Sequence, residues 1–370
     1  GIFTENEAVC IDEIKGIYKS LDSLEEPVPV HRAQALCYGW IYLEAHDLER
    51  IDIQMTYGQL DTEEIRRFRE TITRGELEKW YQDLTGEYHK WVSYQLAWRK
   101  ERNASMETLE FPFPYRKGQR EMVAGVYHAI SEEEQIFIQA PTGIGKTMSA
   151  IFPAVRAVGQ GKGETVFYLT ARTITRTVAE DAFSILRGKG LHFKSITITA
   201  KEKMCFCDEM DCDPQKCPYA KGHYDRINDA VYELWTKEEA FDRETILAQA
   251  EKYSVCPFEM TLDLAVWMDG IVCDYNYVFD PNVYLKRFFG ENIKGKYLFL
   301  IDEAHNLVDR GREMYSATLC KEEIESTRRF VRSHSNRLYR MLGKAAKQLE
   351  VLKEESSSSW QVLENAGTLP

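Results

Sequence analysis

The spacing of apolar residues in the first hundred positions predicts alternating strands and helices. Residues 8–16 are predicted to form a strand, and a second strand is predicted at 51–57, where apolar and polar residues alternate with the period of two typical of strands. Between them, residues 28–45 carry apolar side chains at helical spacing, with Val30, Ala33, Leu36 and Cys37 on one stripe. Residues 63–103 are also predicted to be helical. Their many aromatic side chains are interpreted as a packing face.

Near the middle of the chain, a short apolar strand is predicted at residues 136–138, followed by a glycine-containing turn and a helical run. The turn has the spacing of a P-loop, with alanine in place of the usual first glycine. Backbone N–H groups in such a turn, together with the following helix start, cradle a polyphosphate. Lys146 can reach the β- and γ-phosphates, and the Thr147 hydroxyl can bind Mg²⁺. The predicted ATP-binding loop comprises Ala140, Pro141, Thr142, Gly143, Ile144, Gly145, Lys146 and Thr147.

A second apolar run, at residues 297–308, predicts a buried strand that ends in an acidic pair. An acidic pair at the carboxyl end of a strand, in the same sheet as a P-loop, binds Mg²⁺ and orients the attacking water. We therefore assign Asp302 to Mg²⁺ and Glu303 to polarising the water. His305 is assigned to coupling the nucleotide site to neighbouring motifs.

Two further segments carry groups suited to nucleotide or nucleic-acid contacts. Before the P-loop, Tyr115, Arg116 and Gln119 lie where an adenine base could be bound. They include an aromatic ring that can stack on the base and an amide that can both donate and accept hydrogen bonds. Packing at a helix entry explains these residues equally well. After the P-loop helix, hydroxyl and guanidinium groups at a strand–helix junction suit phosphate contacts. The junction residues are Thr170, Arg172 and Thr173, and helix capping by Thr173 is the competing explanation.

The composition narrows the class of protein. The 370 residues include 44% hydrophobic and 29% charged residues, as in soluble globular proteins, and length predicts two to three units. No apolar run approaches the ~18 residues of a membrane span, and no secretory signal is visible. A net charge of −12 argues against a protein coated in nucleic acid, yet it leaves room for a strand in a locally basic groove.

The cysteines indicate an insertion between the P-loop and the acidic pair. Lys146 and Asp302 are 156 residues apart, whereas two or three βαβ units need only ~60–90 residues. Within this interval, four thiolates from two segments suit a tetrahedral Zn²⁺ or an iron–sulfur cluster. Five cysteines are candidates for four positions, and Cys207, two residues from Cys205, is the one excluded. The predicted ligands are Cys205, Cys212, Cys217 and Cys256.

The first predicted strand carries a second candidate site. Glu13 and Lys15 lie two residues apart, so their side chains share one face of a sheet. Gln34 and Tyr38 share one face of the following helix. This Glu-x-Lys with a downstream Gln-x-x-x-Tyr resembles the end of a RecB-like PD-(D/E)XK nuclease core. The resemblance implies divalent-metal chemistry, but the family's preceding aspartate has no counterpart before Cys10.

The order of motifs in the remaining chain is more specific than any one of them. A P-loop, a cysteine-rich insertion with CPYA and CPFE, the stretch CDYNYVFDP and then DEAH resemble the first motor domain of XPD/DinG-like superfamily 2 helicases over residues 111–318. The resemblance implies a 4Fe-4S cluster on Cys205, Cys212, Cys217 and Cys256, beside single-stranded DNA contacted by Thr170, Arg172 and Thr173. It also implies 5′-to-3′ translocation, nucleotide contacts by Tyr115, Arg116 and Gln119, and a bacterial, cytoplasmic source.

These interpretations predict an α/β protein with a RecA-like P-loop domain. The expected divisions are a nuclease-like segment at 1–105, motor domain 1 at 106–200 and 257–318, the cluster insertion at 201–256, and the start of a helical arch domain at 319–370. The chain is expected to be the N-terminal part of an ATP-dependent DNA helicase. It is expected to bind single-stranded DNA or DNA junctions as a monomer. Because no second RecA-like domain is present, slow hydrolysis is expected. The alternatives are an ATP-gated nucleic-acid-binding module with structural zinc, and a nuclease regulated by ATP.

Overall fold

Two β-sheets organise the protein, and helices cover them. The computed structural model describes residues 1–5, 8–141, 143–171, 173–356 and 359. One sheet is mixed and lies in the N-terminal part of the chain, whereas the other is fully parallel and lies in the middle part. The predicted α/β class is therefore confirmed.

The N-terminal sheet contains a parallel pair of strands joined through a helix. Its strands, in spatial order, are β1 (Ile2–Glu5), β2 (Ala8–Ile17), β3 (Arg50–Gln59) and β4 (Ile65–Thr73). Strands β2 and β3 run parallel, while β1 and β4 pair antiparallel at the edges. Helix α1 (Pro29–Ala45), which follows a 3-10 turn at Leu21–Ser23, crosses between β2 and β3 and packs on both. The helix and sheet enclose Leu36, Trp40, Ile53 and Met55.

The prediction that a helix starts at residue 63 is wrong, because residues 65–73 form strand β4 and the helix begins only after it. Strand β4 pairs along β3 from Gly58 opposite Ile65 to Arg50 opposite Thr73. Phe68 and Ile72 pack toward the α1 side of the sheet, which is the period-two arrangement of a strand. The backbone pairing with β3 outweighed a helical preference that only local spacing supported.

Helix α2 (Arg74–Glu107) is 34 residues long and belongs to both halves of the structure. A capping box between Thr73 and Glu76 fixes its start. Its first turns pack Leu77, Trp80 and Tyr81 against the N-terminal core. Residues 82–89 are exposed throughout, and the C-terminal half then contacts the parallel-sheet part. The predicted aromatic packing face therefore serves two different cores.

The C-terminal half of α2 is held by a buried polar cluster. Asp269 accepts hydrogen bonds from Trp98 Nε1 at 3.0 Å and from Arg102 Nη1 at 2.6 Å. It also accepts one from the Lys194 backbone N–H at 2.9 Å. The Lys194 ammonium lies 4.2 Å from the centre of the Trp98 ring and donates to the Trp235 carbonyl. These contacts join α2 to the parallel sheet.

The parallel sheet has the spatial order β7-β6-β8-β5-β9. Its strands are β5 (Thr165–Leu169), β6 (Ser195–Thr197), β7 (Ala240–Phe241), β8 (Gly270–Cys273) and β9 (Tyr297–Ile301). The helices that connect or flank them are α3 (Gln119–Ser131), α4 (Lys146–Gly159), α5 (Thr173–Arg187), α6 (Lys201–Met204), α7 (His223–Lys237), α8 (Arg243–Tyr253), α9 (Pro257–Ala265), α10 (Asn276–Phe279), α11 (Lys286–Phe289) and α12 (Leu307–Met314).

Both faces of this sheet are buried, as parallel strands require. On one face, Val166 and Tyr168 of β5 join the apolar side chains of α4 and α5. On the other face, Phe167 and Leu169 join those of α7, α8 and α9. The carboxyl ends of the strands therefore open toward the segments that follow them, where the predicted site residues lie.

Two strand predictions in this part are wrong. Residues 136–138 form no strand; Ile136, Phe137 and Ile138 are 47%, 88% and 38% exposed, and no described strand pairs with them. Strand β9 does form, but at the edge of the sheet, so Phe299 remains 43% exposed instead of buried. An apolar run alone does not distinguish an edge strand from a central one.

The end of the described chain is helical, as predicted. Helices α13 (Lys321–Val331) and α14 (Asn336–Glu355) pack against each other. In the run of four serines that follows α14, Ser357 and Ser358 lie outside the described residues.

Candidate active site

The P-loop is a tight turn that depends on two glycines. Gly143 and Gly145 have φ angles of +81° and +84°, a region that side chains with a Cβ rarely adopt. A Cβ at Gly145 would also lie 2.7 Å from Gln119 Nε2. Helix α4 starts immediately afterwards at Lys146, so its N-terminal N–H groups point into the turn. Thr142 of the predicted loop lies outside the described residues.

Two of the residues predicted to contact the adenine base, Arg116 and Gln119, form hydrogen bonds that support the P-loop. Gln119 is only 4% exposed, and its side chain accepts a hydrogen bond from Arg116 N at 3.0 Å and donates one to the Ile144 carbonyl at 2.9 Å. The Arg116 guanidinium donates to the Gly143 carbonyl. Tyr115 stacks on Phe111 with ring centres 4.4 Å apart and remains 45% exposed. Base contact stays a prediction, and Tyr115 has the side chain best exposed for it.

The acidic pair lies at the carboxyl end of β9 and faces the P-loop. Lys146 Nζ is 3.6 Å from Glu303 Oε1 and 3.5 Å from the Ala140 carbonyl oxygen. Glu303 adopts a φ of +50°, an uncommon conformation for a residue with a side chain. His305 Nδ1 lies 3.4 Å from Glu303 Oε2. The fold thus brings Lys146 to Glu303 and His305, which follow it by more than 150 positions in the sequence.

The residues assigned to Mg²⁺ share a neighbour. Tyr168, at 2% exposure, places its hydroxyl 3.4 Å from Thr147 Oγ1 and near the Asp302 carboxyl. Burial raises the pKa of the Asp302 carboxyl and that of the Tyr168 phenol. Hydroxyl and carboxylate oxygens are ligands that Mg²⁺ prefers, so Thr147 and Asp302, which share Tyr168 as a neighbour, are suited to one ion.

Five residues outside the predicted site support the acidic pair and the carboxyl end of β8. The Tyr275 hydroxyl donates to the backbone carbonyl of Asp302. Arg310 Nη2 donates to Asp274 Oδ1 and Asn276 Oδ1, both at 2.9 Å, and Arg176 Nη2 lies 3.7 Å from Asp274. Asp274 and Asn276 follow β8, as expected for residues that end a strand. Because Tyr168 and Tyr275 sit in apolar stretches, the sequence pattern gave no signal for them.

The predicted DNA-contacting junction is only partly described. Thr170 is 2% exposed, its hydroxyl contacts that of Thr175, and its N–H donates to the Cys273 carbonyl at 3.0 Å. Arg172 and the Thr173 side chain lie outside the described residues. Thr170 is buried because it continues a central strand, so in this structure its side chain faces the interior.

The cysteine-rich segment places Cys207 beside two of the predicted ligands. The chain bends after α6, and Cys207 contacts both Cys205 and Cys217, with its Sγ 4.0 Å from Cys217 Sγ. Desolvation and these thiols raise the pKa of Cys207 to about 11. The Lys201 side chain contacts Cys212 and lies near Cys256. Within the described ranges, no three ligand side chains are arranged to hold a metal ion. The predicted ligands lie in one region of the structure, and their side chains would have to rearrange to bind one metal centre together.

The residues of the second candidate site converge on one side of the N-terminal sheet. Lys15 Nζ lies 2.7 Å from Glu13 Oε1 and donates to Gln34 Oε1 at 2.9 Å. Gln34 Nε2 in turn lies 3.5 Å from the Tyr38 hydroxyl. Asp12 points to the opposite face, where Thr56 and Gln54 donate to it at 2.7 and 3.0 Å. The structure therefore joins the four predicted residues and leaves Asp12 outside their group.

Comparison with known sequences identifies the class to which the parallel-sheet part belongs. The DEAD/DEAH box helicase family matches residues 116–239, and the DEAD_2 family matches residues 192–324. The P-loop, the acidic pair and the cysteine segment all fall within these spans. This part of the chain is similar to helicase-type P-loop ATPase domains, and the two family matches together cover residues 116–324.

Individual relatives agree with that class. The chain is 32% identical over 90 residues to the Fanconi anemia group J protein homolog of Gallus gallus, covering 24% of this chain and 7% of that one. It is 22% identical over 262 residues to the regulator of telomere elongation helicase 1 homolog of Caenorhabditis briggsae, covering 60% and 26%. It is 23% identical over 128 residues to the ATP-dependent DNA helicase CHL1 of Kluyveromyces lactis, covering 35% and 16%. The chain spans about a quarter or less of these relatives.

Solved structures give weaker similarity. A truncated XPD matches with a TM-score of 0.44 and 20% identity over 64% of this chain and 65% of that one. An XPD helicase matches with a TM-score of 0.44 and 19% identity over 70% and 44%. No helix within the described ranges is long and apolar enough to cross a membrane.

Proposed function

We propose that this chain binds Mg·ATP through the P-loop and the acidic pair, and supplies the first ATPase half of a DNA helicase. The observation that carries the proposal is the meeting of Lys146 with Glu303 at 3.6 Å, beside Thr147 and Asp302. Four groups of a phosphoryl-transfer site gather at one end of one sheet. The names of the relatives, which include DNA helicases, support DNA as the partner.

The roles follow from the chemistry of each side chain. The turn of Gly143 and Gly145 and the start of α4 bind phosphate oxygens, and Lys146 neutralises their charge. Thr147 and Asp302 would hold Mg²⁺, which on binding neutralises charge on the transferred phosphoryl group. Glu303 accepts the proton of the attacking water, and His305 orients Glu303. Lys146 and Glu303 pair at 3.6 Å, so Lys146 would exchange this contact for the phosphates of a bound nucleotide.

The test of this function uses the chain itself. We expect Mg²⁺-dependent binding of a fluorescent ATP analogue, together with slow phosphate release that single-stranded DNA increases. The control Lys189→Ala removes an exposed lysine far from the loop and keeps both signals. Absence of nucleotide binding would overturn the ATPase assignment. Nucleotide binding without any response to DNA would limit the function to that of an NTP-binding domain.

We also propose, from the resemblance to XPD/DinG-like helicases, that the cysteine-rich segment holds a 4Fe-4S cluster after rearrangement, beside the path of a strand travelled 5′ to 3′. Cys205, Cys212, Cys217 and Cys256 are the ligands in this proposal, with Cys207 as an unexpected competitor for one position. Iron, sulfide and zinc analysis of anaerobically purified protein tests it. About four iron and four sulfide per chain support the cluster. One zinc ion would favour structural zinc.

A second candidate function rests on the group at the N-terminal sheet. The contacts among Glu13, Lys15, Gln34 and Tyr38 favour a divalent-metal nuclease centre, with Glu13 as a metal ligand and Lys15 steadying a developing phosphate charge. Mn²⁺ titration, followed by cleavage of single-stranded DNA, tests this function. Binding that Glu13→Gln abolishes would support the metal role. Equal Mn²⁺ binding by both forms would overturn it.

A further inference from the structure

Tyr168 is the one tyrosine of β5, and its position is fixed by the sheet. It pairs in parallel register with Leu300 of β9, and Asp302 lies two residues beyond Leu300. Side chains two residues apart in adjacent strands share a face, so Tyr168 and Asp302 lie on the same side of the sheet. The Asp302 N–H also donates to the Leu169 carbonyl at 2.9 Å, which extends the pairing to the acidic residue itself.

The hydroxyl of Tyr168 joins the two residues assigned to Mg²⁺. It contacts Thr147 Oγ1 at 3.4 Å and lies near the Asp302 carboxyl on the same side of the sheet. The ring itself packs in the apolar core beneath α4 and α5. A buried hydroxyl costs free energy unless it is hydrogen-bonded, and phenylalanine would fill the same core space without that cost. The hydroxyl therefore calls for an explanation that core packing does not give.

We propose that Tyr168 is a positioning residue for the Mg²⁺ ion of the nucleotide site, an inference that rests on the proposed ATPase function. In this role its phenol would hydrogen-bond to one oxygen of Asp302 and leave the other oxygen available to the ion. Its contact with the Thr147 hydroxyl would keep the two proposed ligands close together. Partners of metal ligands orient those ligands, and their removal typically costs about 10–100-fold in metal affinity.

The variant Tyr168→Phe removes only the hydroxyl. The experiment titrates Mg²⁺ into protein with a fluorescent ADP analogue, and repeats the nucleotide titration in EDTA. We expect the variant to need about 10–100-fold more Mg²⁺ for half-maximal binding, with unchanged binding in EDTA. The matched control is Tyr277→Phe, which removes a hydroxyl from another buried tyrosine of the same domain at 8% exposure. This control should bind Mg²⁺ like the parent protein.

The outcomes separate this inference from the proposed function. A parent protein that binds nucleotide with Mg²⁺ dependence, together with a Tyr168→Phe variant of equal Mg²⁺ affinity, would overturn the positioning role alone. A parent protein that binds no nucleotide would overturn both. Circular dichroism melting checks the fold of the variant. If phenylalanine is not tolerated, Tyr168→Met also lacks the hydroxyl, can repack in the core, and gives the same readout.

Discussion

Two lysine–glutamate pairs lie in different regions of this protein, and they were built in different ways. Lys146 and Glu303 meet at 3.6 Å across the end of the parallel sheet, although 157 positions separate them in the chain. Lys15 and Glu13 meet at 2.7 Å because they are neighbours on one face of β2. The first pair requires the tertiary fold, whereas the second follows from strand geometry alone.

The difference lies in what surrounds each pair. Around Lys146 and Glu303, a glycine turn and a helix start supply N–H groups for phosphate oxygens, and Thr147 and Asp302 supply the proposed Mg²⁺ ligands. Around Lys15 and Glu13, Gln34 and Tyr38 add polar groups, but Asp12 faces away and supplies no second carboxylate. A lysine–glutamate pair becomes informative only through the groups that converge on it.

Loss of Lys146 should have the largest effect. We expect Lys146→Ala to lower nucleotide affinity by about 10³-fold, because no other side chain replaces its charge at the phosphates. Fluorescence titration with an ATP analogue measures this change. Lys15→Ala is the matched control and should bind nucleotide like the parent protein; a similar loss in both variants would erase the distinction between the pairs.

Glu303 should separate binding from chemistry. Glu303→Gln is expected to retain nucleotide binding and to lower kcat for ATP hydrolysis by about 10²–10⁴-fold, since the amide cannot accept the proton of water. Single-turnover phosphate release provides the measurement. The same change at Glu13 should leave hydrolysis unaltered. Hydrolysis by Glu303→Gln at the parent rate would show that another group activates the water.

The attachment of α2 between the two regions should be costly to break. Asp269→Ala leaves the Arg102 guanidinium buried and unpaired, which typically costs about 3–5 kcal/mol of unfolding free energy. Urea denaturation measures it. Asp47→Ala breaks an ion pair to Arg74 at a carboxylate that is 98% exposed and should cost less than about 1 kcal/mol. Equal costs would mean that the cluster does not fasten the helix.

The smallest predicted effect concerns pH at the same attachment. Burial lowers the pKa of Lys194 to about 8, although Glu239, Asp269 and Glu238 partly oppose the shift. Between about pH 8 and its ordinary pKa near 10.5, the unfolded chain binds a proton that the folded protein does not. Stability should therefore rise with pH over this window by about 1–2 kcal/mol relative to Lys194→Met. Parallel pH curves for the two proteins would contradict the prediction.

The two regions also differ in how far their structure could be foreseen. The P-loop spacing and the acidic pair were predicted residue by residue, because phosphate binding restricts a few adjacent positions to glycine, lysine and threonine. Strand β4 was missed, since its strand state depends on backbone pairing with β3 that local spacing does not encode. The edge position of β9 was missed for the same reason.

Side-chain partners formed over long distances were the least predictable part of the site. Gln119 was offered equally as a base contact and as packing at a helix entry, and its bond to the Ile144 carbonyl requires knowing how α3 sits on the loop. Cys207 was excluded from the ligand set, yet its Sγ lies 4.0 Å from Cys217 Sγ. Tyr168 lies in an apolar strand, where its hydroxyl gives no periodic signal.

The exposed residues 82–89 of α2 set the relative orientation of the two sheets about the helix axis. An α-helix turns about 100° and rises about 1.5 Å per residue. Deleting one residue from 82–89 would therefore rotate the N-terminal sheet by about 100° around the axis of α2, whereas deleting seven would restore nearly the same angle and shorten the separation by about 10 Å. In this protein, the length of a solvent-exposed helical segment determines both the distance and the relative orientation of the two polar sites.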